Sequence, residues 1–355
     1  MRTFLLAAAL ALATPAMAQV STRWPVSEGD ARFANFRFQS GETLPELTVH
    51  YRTLGAPVRD SKGRITNAIM VLHGTGGTGA QFLRPQFADE LYGPGQPLDI
   101  SKYYIILPDS IGHGGSSKPS DGLRMAFPKY DYADMVEAQR RLLVDHLKVT
   151  ELRLLAGTSM GCMHSFVWGT THPGFAKALF PTACLPVEIA GRNRMWRKMS
   201  IDAIEADPLW KGGNYTEQPK SGLRTAAALG LIAGSAPIRM QAEAPTREAA
   251  EKALEGRVEA GMTDDANDVI YRIDSSRTYN PAPLLSRITV PVTWINSADD
   301  FINPPNLHIA EAEVAKMPRA KFVLIPETAE TRGHSTHTWA VFWKQELIDL
   351  LKRSE

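Results

Sequence analysis

The pentapeptide Gly157-Thr158-Ser159-Met160-Gly161 is the most chemically specific feature of the sequence. It follows an apolar run ending at Ala156 and precedes a helix-forming run, the strand–turn–helix setting that a G-x-S-x-G motif requires. A serine hydroxyl is a poor nucleophile at neutral pH, so it needs a base, and the base needs an orienting acid. The expected chain order is serine, acid, histidine. Two aspartates follow the late apolar run 292–296, in Ser297-Ala298-Asp299-Asp300-Phe301-Ile302-Asn303-Pro304-Pro305. Asp300 is the preferred acid, because D-x-x-x-P places a proline at the opening of the next helix. Asp299 is the alternative, or a loop-bonding neighbour. After the last apolar run, 321–325, comes Gly333-His334-Ser335-Thr336-His337. His334 is the expected base, and His337, one helical turn on, is expected to support the pocket or the fold.

Acyl chemistry at a serine also needs donors for an oxyanion. The Met160 backbone N–H is one candidate. The other should come from the loop after 68–72, His73-Gly74-Thr75-Gly76-Gly77-Thr78-Gly79, with Thr75 N–H preferred and Gly76 next. Gly74, Gly76 and Gly79 also fit G-x-G-x-x-G, but the pattern alone is weak and no phosphate-binding lysine follows. His73 reads as structural, and His113, within the glycine-rich stretch 109–117, as a loop residue. The nine histidines are scattered, with no CxxC or HExxH. No metal and no cofactor is expected.

Short apolar runs at 47–53, 68–72, 103–107, 151–156, 178–183, 292–296 and 321–325 read as strands, most of them near-continuously apolar as strands covered on both faces are. Helix-forming stretches at 132–148, 162–169 and 306–316 separate several of them. Strands alternating with helices imply a doubly wound, mostly parallel α/β sheet, here the α/β-hydrolase fold. Residues 191–279 break the alternation with helix-forming sequence and no obvious strand. They are expected to form a helical cap inserted into a core of 19–190 and 280–355. Trp196, Trp210 and Tyr215 lie in this cap, either lining a substrate pocket or filling the cap's own interior.

Residues 1–18 carry a basic start, an apolar run too short to span a bilayer, and Ala16-Met17-Ala18, an A-x-A cleavage site. They read as a secretory signal, with Gln19 as the mature start and the periplasm or the exterior as the destination. No later stretch is apolar enough to span a membrane. The chain is 44% hydrophobic and 22% charged, which excludes a disordered protein. A formal net charge of +1 argues against nucleic acid as the main partner. Export permits Cys162 and Cys184 to pair, but two small buried apolar residues is the preferred reading.

The segments SGETLPELTVHYRTLG (40–55), DMVEAQ (134–139), Gly157–Gly161 followed by Met163 and Trp168, DPLWKGGNY (207–215) and 300–305 together resemble the homoserine O-acetyltransferase branch of the α/β-hydrolase superfamily. The resemblance runs from about residue 35 to the C-terminus. It implies the same fold, the triad Ser159, Asp300 and His334, and frequent dimerisation, so a homodimer is an expectation. Three segments depart from the family pattern: the loop at His73–Gly77, which is closer to hydrolases, Cys162 directly after Gly161, and Ser335 after His334. With an exported location, these make a serine hydrolase cleaving an ester or related acyl bond the preferred function. The partner is a small acyl substrate, and acyl transfer of the homoserine O-acetyltransferase type is the alternative.

Overall fold

The computed structural model describes residues 23–355. The signal reading of 1–18, and Gln19, lie outside the described residues. Among those described, eight strands form one sheet: β1 (Ser27–Arg37), β2 (Thr43–Leu54), β3 (Ala68–Leu72), β4 (Tyr104–Pro108), β5 (Leu154–Thr158), β6 (Leu179–Thr182), β7 (Val292–Ser297) and β8 (Ala320–Ile325). Their order is β1-β2-β4-β3-β5-β6-β7-β8. The β1–β2 and β2–β4 pairs are antiparallel and every other pair is parallel. Every residue of β3, β5, β6 and β7 is buried, as strands covered on both faces must be. The long β1 is not among the apolar runs of the sequence. Glu28, Asp30 and Arg32 are exposed on it, and only its inward side, including Ala31 and Phe33, is apolar.

Ten α-helices lie among the described residues: α1 (Pro85–Leu91), α2 (Tyr132–Arg141), α3 (Met160–Thr171), α4 (Gly191–Glu205), α5 (Lys220–Ala233), α6 (Pro237–Glu243), α7 (Arg247–Gly261), α8 (Ala266–Asp274), α9 (Ile309–Val314) and α10 (Lys344–Arg353). Helix α2 starts at a reciprocal cap. Asp131 accepts the Asp134 N–H, and Asp134 accepts the Asp131 N–H. One wider turn, Leu142–His146, extends it. The helix expected over 306–316 is broken instead, because His308 takes a left-handed conformation between a short turn at Pro305–Leu307 and α9.

Two apolar clusters cover the two faces of the sheet. One includes Met135, Phe166 and Trp168 of α2 and α3, and the other Phe87, Leu91 and Leu347 of α1 and α10. Helices α4–α8 lie between β6 and β7 in the chain and have a small interior of their own, including Ile204, Leu223, Ala226 and Ile270. Among the described residues, no helix is long and apolar enough to cross a membrane.

Candidate active site

The parallel register places the chemistry. Leu72 of β3 pairs with Gly157 of β5, and Thr158 pairs with Thr182 of β6. The turns leaving β3, β5 and β6 therefore emerge side by side at the carboxyl edge of the sheet, where ligands bind in open α/β folds. Ser159 sits in that row at φ 53°, ψ −109°, a strained backbone outside the helical region. Its N–H donates to the Thr182 carbonyl at 2.8 Å, and the Gly161 N–H donates to the His73 carbonyl at 3.0 Å. Only glycine fits beside it. A Cβ on Gly157 would lie 2.0 Å from the Gly161 carbonyl oxygen, and one on Gly161 would lie 2.0 Å from that of Leu72.

The loops after β7 and β8 bring the remaining groups to this serine. His334 Nε2 lies 2.8 Å from Ser159 Oγ, and His334 Nδ1 lies 2.8 Å from Asp300 Oδ2. Asp300 is buried, and its carboxylate also accepts the Asn303 side-chain amide and the backbone N–H groups of Ile302 and Asn303. Burial pushes the Asp300 pKa up, but the His334 charge and these hydrogen bonds outweigh it and hold the carboxyl below its ordinary range. Asp299 does a different job. Its Oδ2 accepts from Thr331 Oγ1 and from the Gly333 N–H, each at 2.8 Å, tying the acid loop to the loop that carries His334. His337 turns to the backbone rather than to Ser159. Its Nδ1 bonds the His334 carbonyl, and burial, with the His334 charge second, pulls its pKa down to about 3. A neutral ring at that position supports the backbone of the base.

The loop after β3 is held by His73, which the sequence reads as structural, and by His113, which it reads as a loop residue. The Ser110 N–H donates to His73 Nε2, so His73 Nδ1 carries the proton and donates to the Gly74 carbonyl at 2.8 Å. Gly77 N–H donates to the same carbonyl. The peptide plane that carries the Thr75 N–H is thereby fixed. His113 Nε2, 2.9 Å from the Thr75 carbonyl, fixes the next one. Met160 is the first residue of α3, where backbone N–H groups lack intrahelical partners and the helix dipole favours negative charge.

Cys162 and Cys184 are joined in a disulfide, which corrects the expectation of two unpaired apolar residues. The adjacency of β5 and β6 explains it: Cys162 lies in the first turn of α3 and Cys184 just beyond the end of β6. The bridge thus clamps the turn after Ser159 to the wall of a cavity of about 500 Å³ that Ser159 and His334 also line.

That cavity lies between the first turns of α4 and the core loops. Its lining is largely apolar, with Met163, Leu185, Val187, Ile189, Ile302 and Leu307. Arg192 on α4 stands 3.5 Å over the Phe301 ring, linking the inserted helices to the acid loop. Trp196, Trp210 and Tyr215 do not line this cavity. Trp210 Nε1 donates to Asn267 Oδ1, and the Asn267 N–H donates to Tyr215 Oη, so both rings fill the interior of the inserted helices. Trp196 is half-buried on α4 beside Arg197. Beyond Ser159 and His334, much of the cavity wall is aliphatic side chains that carry no sequence motif. Among the described residues, no group of three or more His, Cys, Asp or Glu side chains is placed to hold a metal ion.

The sheet order, the elbow at Ser159 and a hydrogen-bonded Ser–His–Asp chain define an α/β hydrolase. The family model for the alpha/beta hydrolase fold matches residues 67–331, and the chain belongs to that family as a homoserine O-acetyltransferase-like member. It is 30% identical over 301 residues to the homoserine O-acetyltransferase of Solidesulfovibrio magneticus, covering 80% of this chain and 72% of the relative. In structure it is similar to a homoserine O-acetyltransferase from Bacillus anthracis, with a TM-score of 0.80 and 20% identity over 92% of this chain and 98% of that one. An acetylester hydrolase from Corynebacterium glutamicum also has a TM-score of 0.80, at 22% identity over 92% and 96%. At these identities the two structures speak to the fold. The chain is an enzyme of the α/β-hydrolase superfamily.

Proposed function

We propose that this protein transfers acyl groups through a covalent intermediate on Ser159. The observation that carries the reading is the unbroken chain from Ser159 Oγ through His334 to Asp300, with both links at 2.8 Å. Ser159 Oγ attacks the acyl carbon and passes its proton to His334 Nε2. Asp300 holds the imidazole and offsets its positive charge. The Thr75 and Met160 N–H groups take the oxyanion. Collapse expels the leaving alcohol or thiol with the proton from His334, leaving the acyl-enzyme. His334 then deprotonates the acceptor, which attacks and releases Ser159.

The acceptor separates two readings. The homoserine O-acetyltransferase relatives favour an alcohol acceptor, rather than the water that the sequence features suggested. Hydrolysis is kept as the second reading on one observation, the Cys162–Cys184 disulfide. Such bonds persist mainly in oxidising compartments, which fits an exported protein separated from cytoplasmic thioester donors. The test is to acetylate the enzyme with 4-nitrophenyl acetate and divide the released acetyl group between acetate and O-acetylhomoserine as homoserine is raised. Transfer predicts ester product that grows with acceptor at the expense of acetate. Acetate release indifferent to homoserine and to other alcohols selects hydrolysis. Turnover undiminished in Ser159→Ala contradicts both.

A further inference from the structure

Helix α4 borders two cavities that share no lining residue. Its first turns line the catalytic one. Arg194, Lys198, Ile201 and Glu205, spaced along one face of the helix, line a second of about 200 Å³. The apolar part of that lining is Met125, Ile201, Ile270 and the Tyr271 ring, whose hydroxyl donates to the Phe127 carbonyl. The charged part is unbalanced. Lys129, Arg194, Lys198 and Arg277 stand against Glu205 and Asp274, and Lys198 pairs with Asp202, which does not line the cavity. Three cations are left with two carboxylates. Arg194 and Arg277 share Asp274 at 3.8 and 3.5 Å, longer than the roughly 2.7–2.9 Å of a charge-assisted hydrogen bond. Arg277 is otherwise taken up by the Tyr130 and Lys129 carbonyls. Arg194 is the under-used donor: its Nη1 is buried without an acceptor among the described residues, and its side chain is 37% exposed.

We propose that this second cavity is a ligand site for a small monocarboxylate with an apolar body, anchored by Arg194 with Lys129 as the second cation. One excess positive charge matches a monoanion, and a planar guanidinium suits a carboxylate. The Glu205 and Asp274 charges repel a dianion such as hydrogen phosphate. Met125, Ile201, Ile270 and Tyr271 take the apolar body. The volume is below the roughly 300–1,000 Å³ of pockets for drug-sized ligands, so the body is short. The site does not depend on Ser159 as nucleophile, so its test measures binding.

The experiment titrates the full chain with hexanoate, hexanamide and inorganic phosphate by calorimetry or NMR. The expected result is saturable binding of hexanoate, at least about tenfold tighter than hexanamide, as a charge-assisted bond should give. Arg194→Met is expected to remove that preference. Neither Arg194 nor Lys129 lines the catalytic cavity, so hexanoate seated beside Ser159 would keep its affinity in variants of either. A preference that survives Arg194→Met therefore overturns the proposal. So do the absence of saturable hexanoate binding, equal binding of hexanoate and hexanamide, and phosphate binding as tight as hexanoate. If the Arg194→Met chain does not fold, Lys129→Met, at an exposed position, decides. Several-fold weaker hexanoate binding is then expected, and unchanged binding overturns the proposal. Because binding is read without turnover, failure here is distinct from failure of Ser159 as nucleophile.

Discussion

At the scale of single residues, two adjacent aspartates divide two tasks. Asp300 faces the imidazole, and Asp299 faces the backbone that carries it. Asp300→Asn should lower kcat/KM by about 10³-fold or more, because the wrong tautomer of His334 is then held. Asp299→Asn should keep most activity and instead lower stability by about 1 kcal/mol, the cost of weakening partly buried hydrogen bonds to Gly333 and Thr331. Steady-state kinetics and urea unfolding of both variants check this, and the opposite pattern would exchange their roles. The preference for Asp300 was legible because the proline at 304 sets where a loop acid can stand. The roles of His73 and His113 were not, since each acts through a backbone carbonyl in a loop whose path no pattern of residue types encodes.

At the scale of elements, the central strands β3, β5, β6 and β7 were legible from their apolar runs, because strands buried on both faces have few polar residues to confuse the reading. Strand β1 was not, as its outer face is polar. The pairing of Cys162 with Cys184 was equally hidden, because it depends on β5 and β6 being neighbours, which only the assembled sheet decides. The bridge closes a span of 22 residues that includes all of β6 and most of α3. A reductant, or Cys162→Ser with Cys184→Ser, should lower unfolding free energy by about 2–4 kcal/mol. It should also reduce turnover, since Cys184 forms part of the cavity wall. Unchanged unfolding on verified reduction would show that the sheet holds this edge without the bridge.

At the scale of the whole molecule, the first turns of α4 and the core loops enclose the cavity together. That is why the sequence left two places open for Trp210 and Tyr215: they are large enough to wall a site, yet they fill the interior of the inserted helices. The buried His164 of α3 makes folding pH-dependent. Its Nδ1 is engaged by Gln139, its Nε2 has no partner, and burial, with the His73 charge second, lowers its pKa to about 3. The unfolded chain binds a proton there below about pH 6.5, which the native state excludes until about pH 3. Stability is therefore full above the unfolded value and falls as pH drops through this window, by about 1.4 kcal/mol per pH unit for this one group. His164→Asn, which retains an acceptor for Gln139, should flatten the decline in unfolding free energy between about pH 6 and about pH 4. Parallel declines in the two proteins would remove His164 as a source.

The most direct measurement is intact-mass and peptide analysis of the protein after a brief exposure to a fluorophosphonate or an activated ester. The account predicts one adduct per chain on the peptide containing Ser159, slow labelling in His334→Ala, and none at that peptide in Ser159→Ala. Labelling at another residue, or full-rate ester turnover by Ser159→Ala, would contradict it.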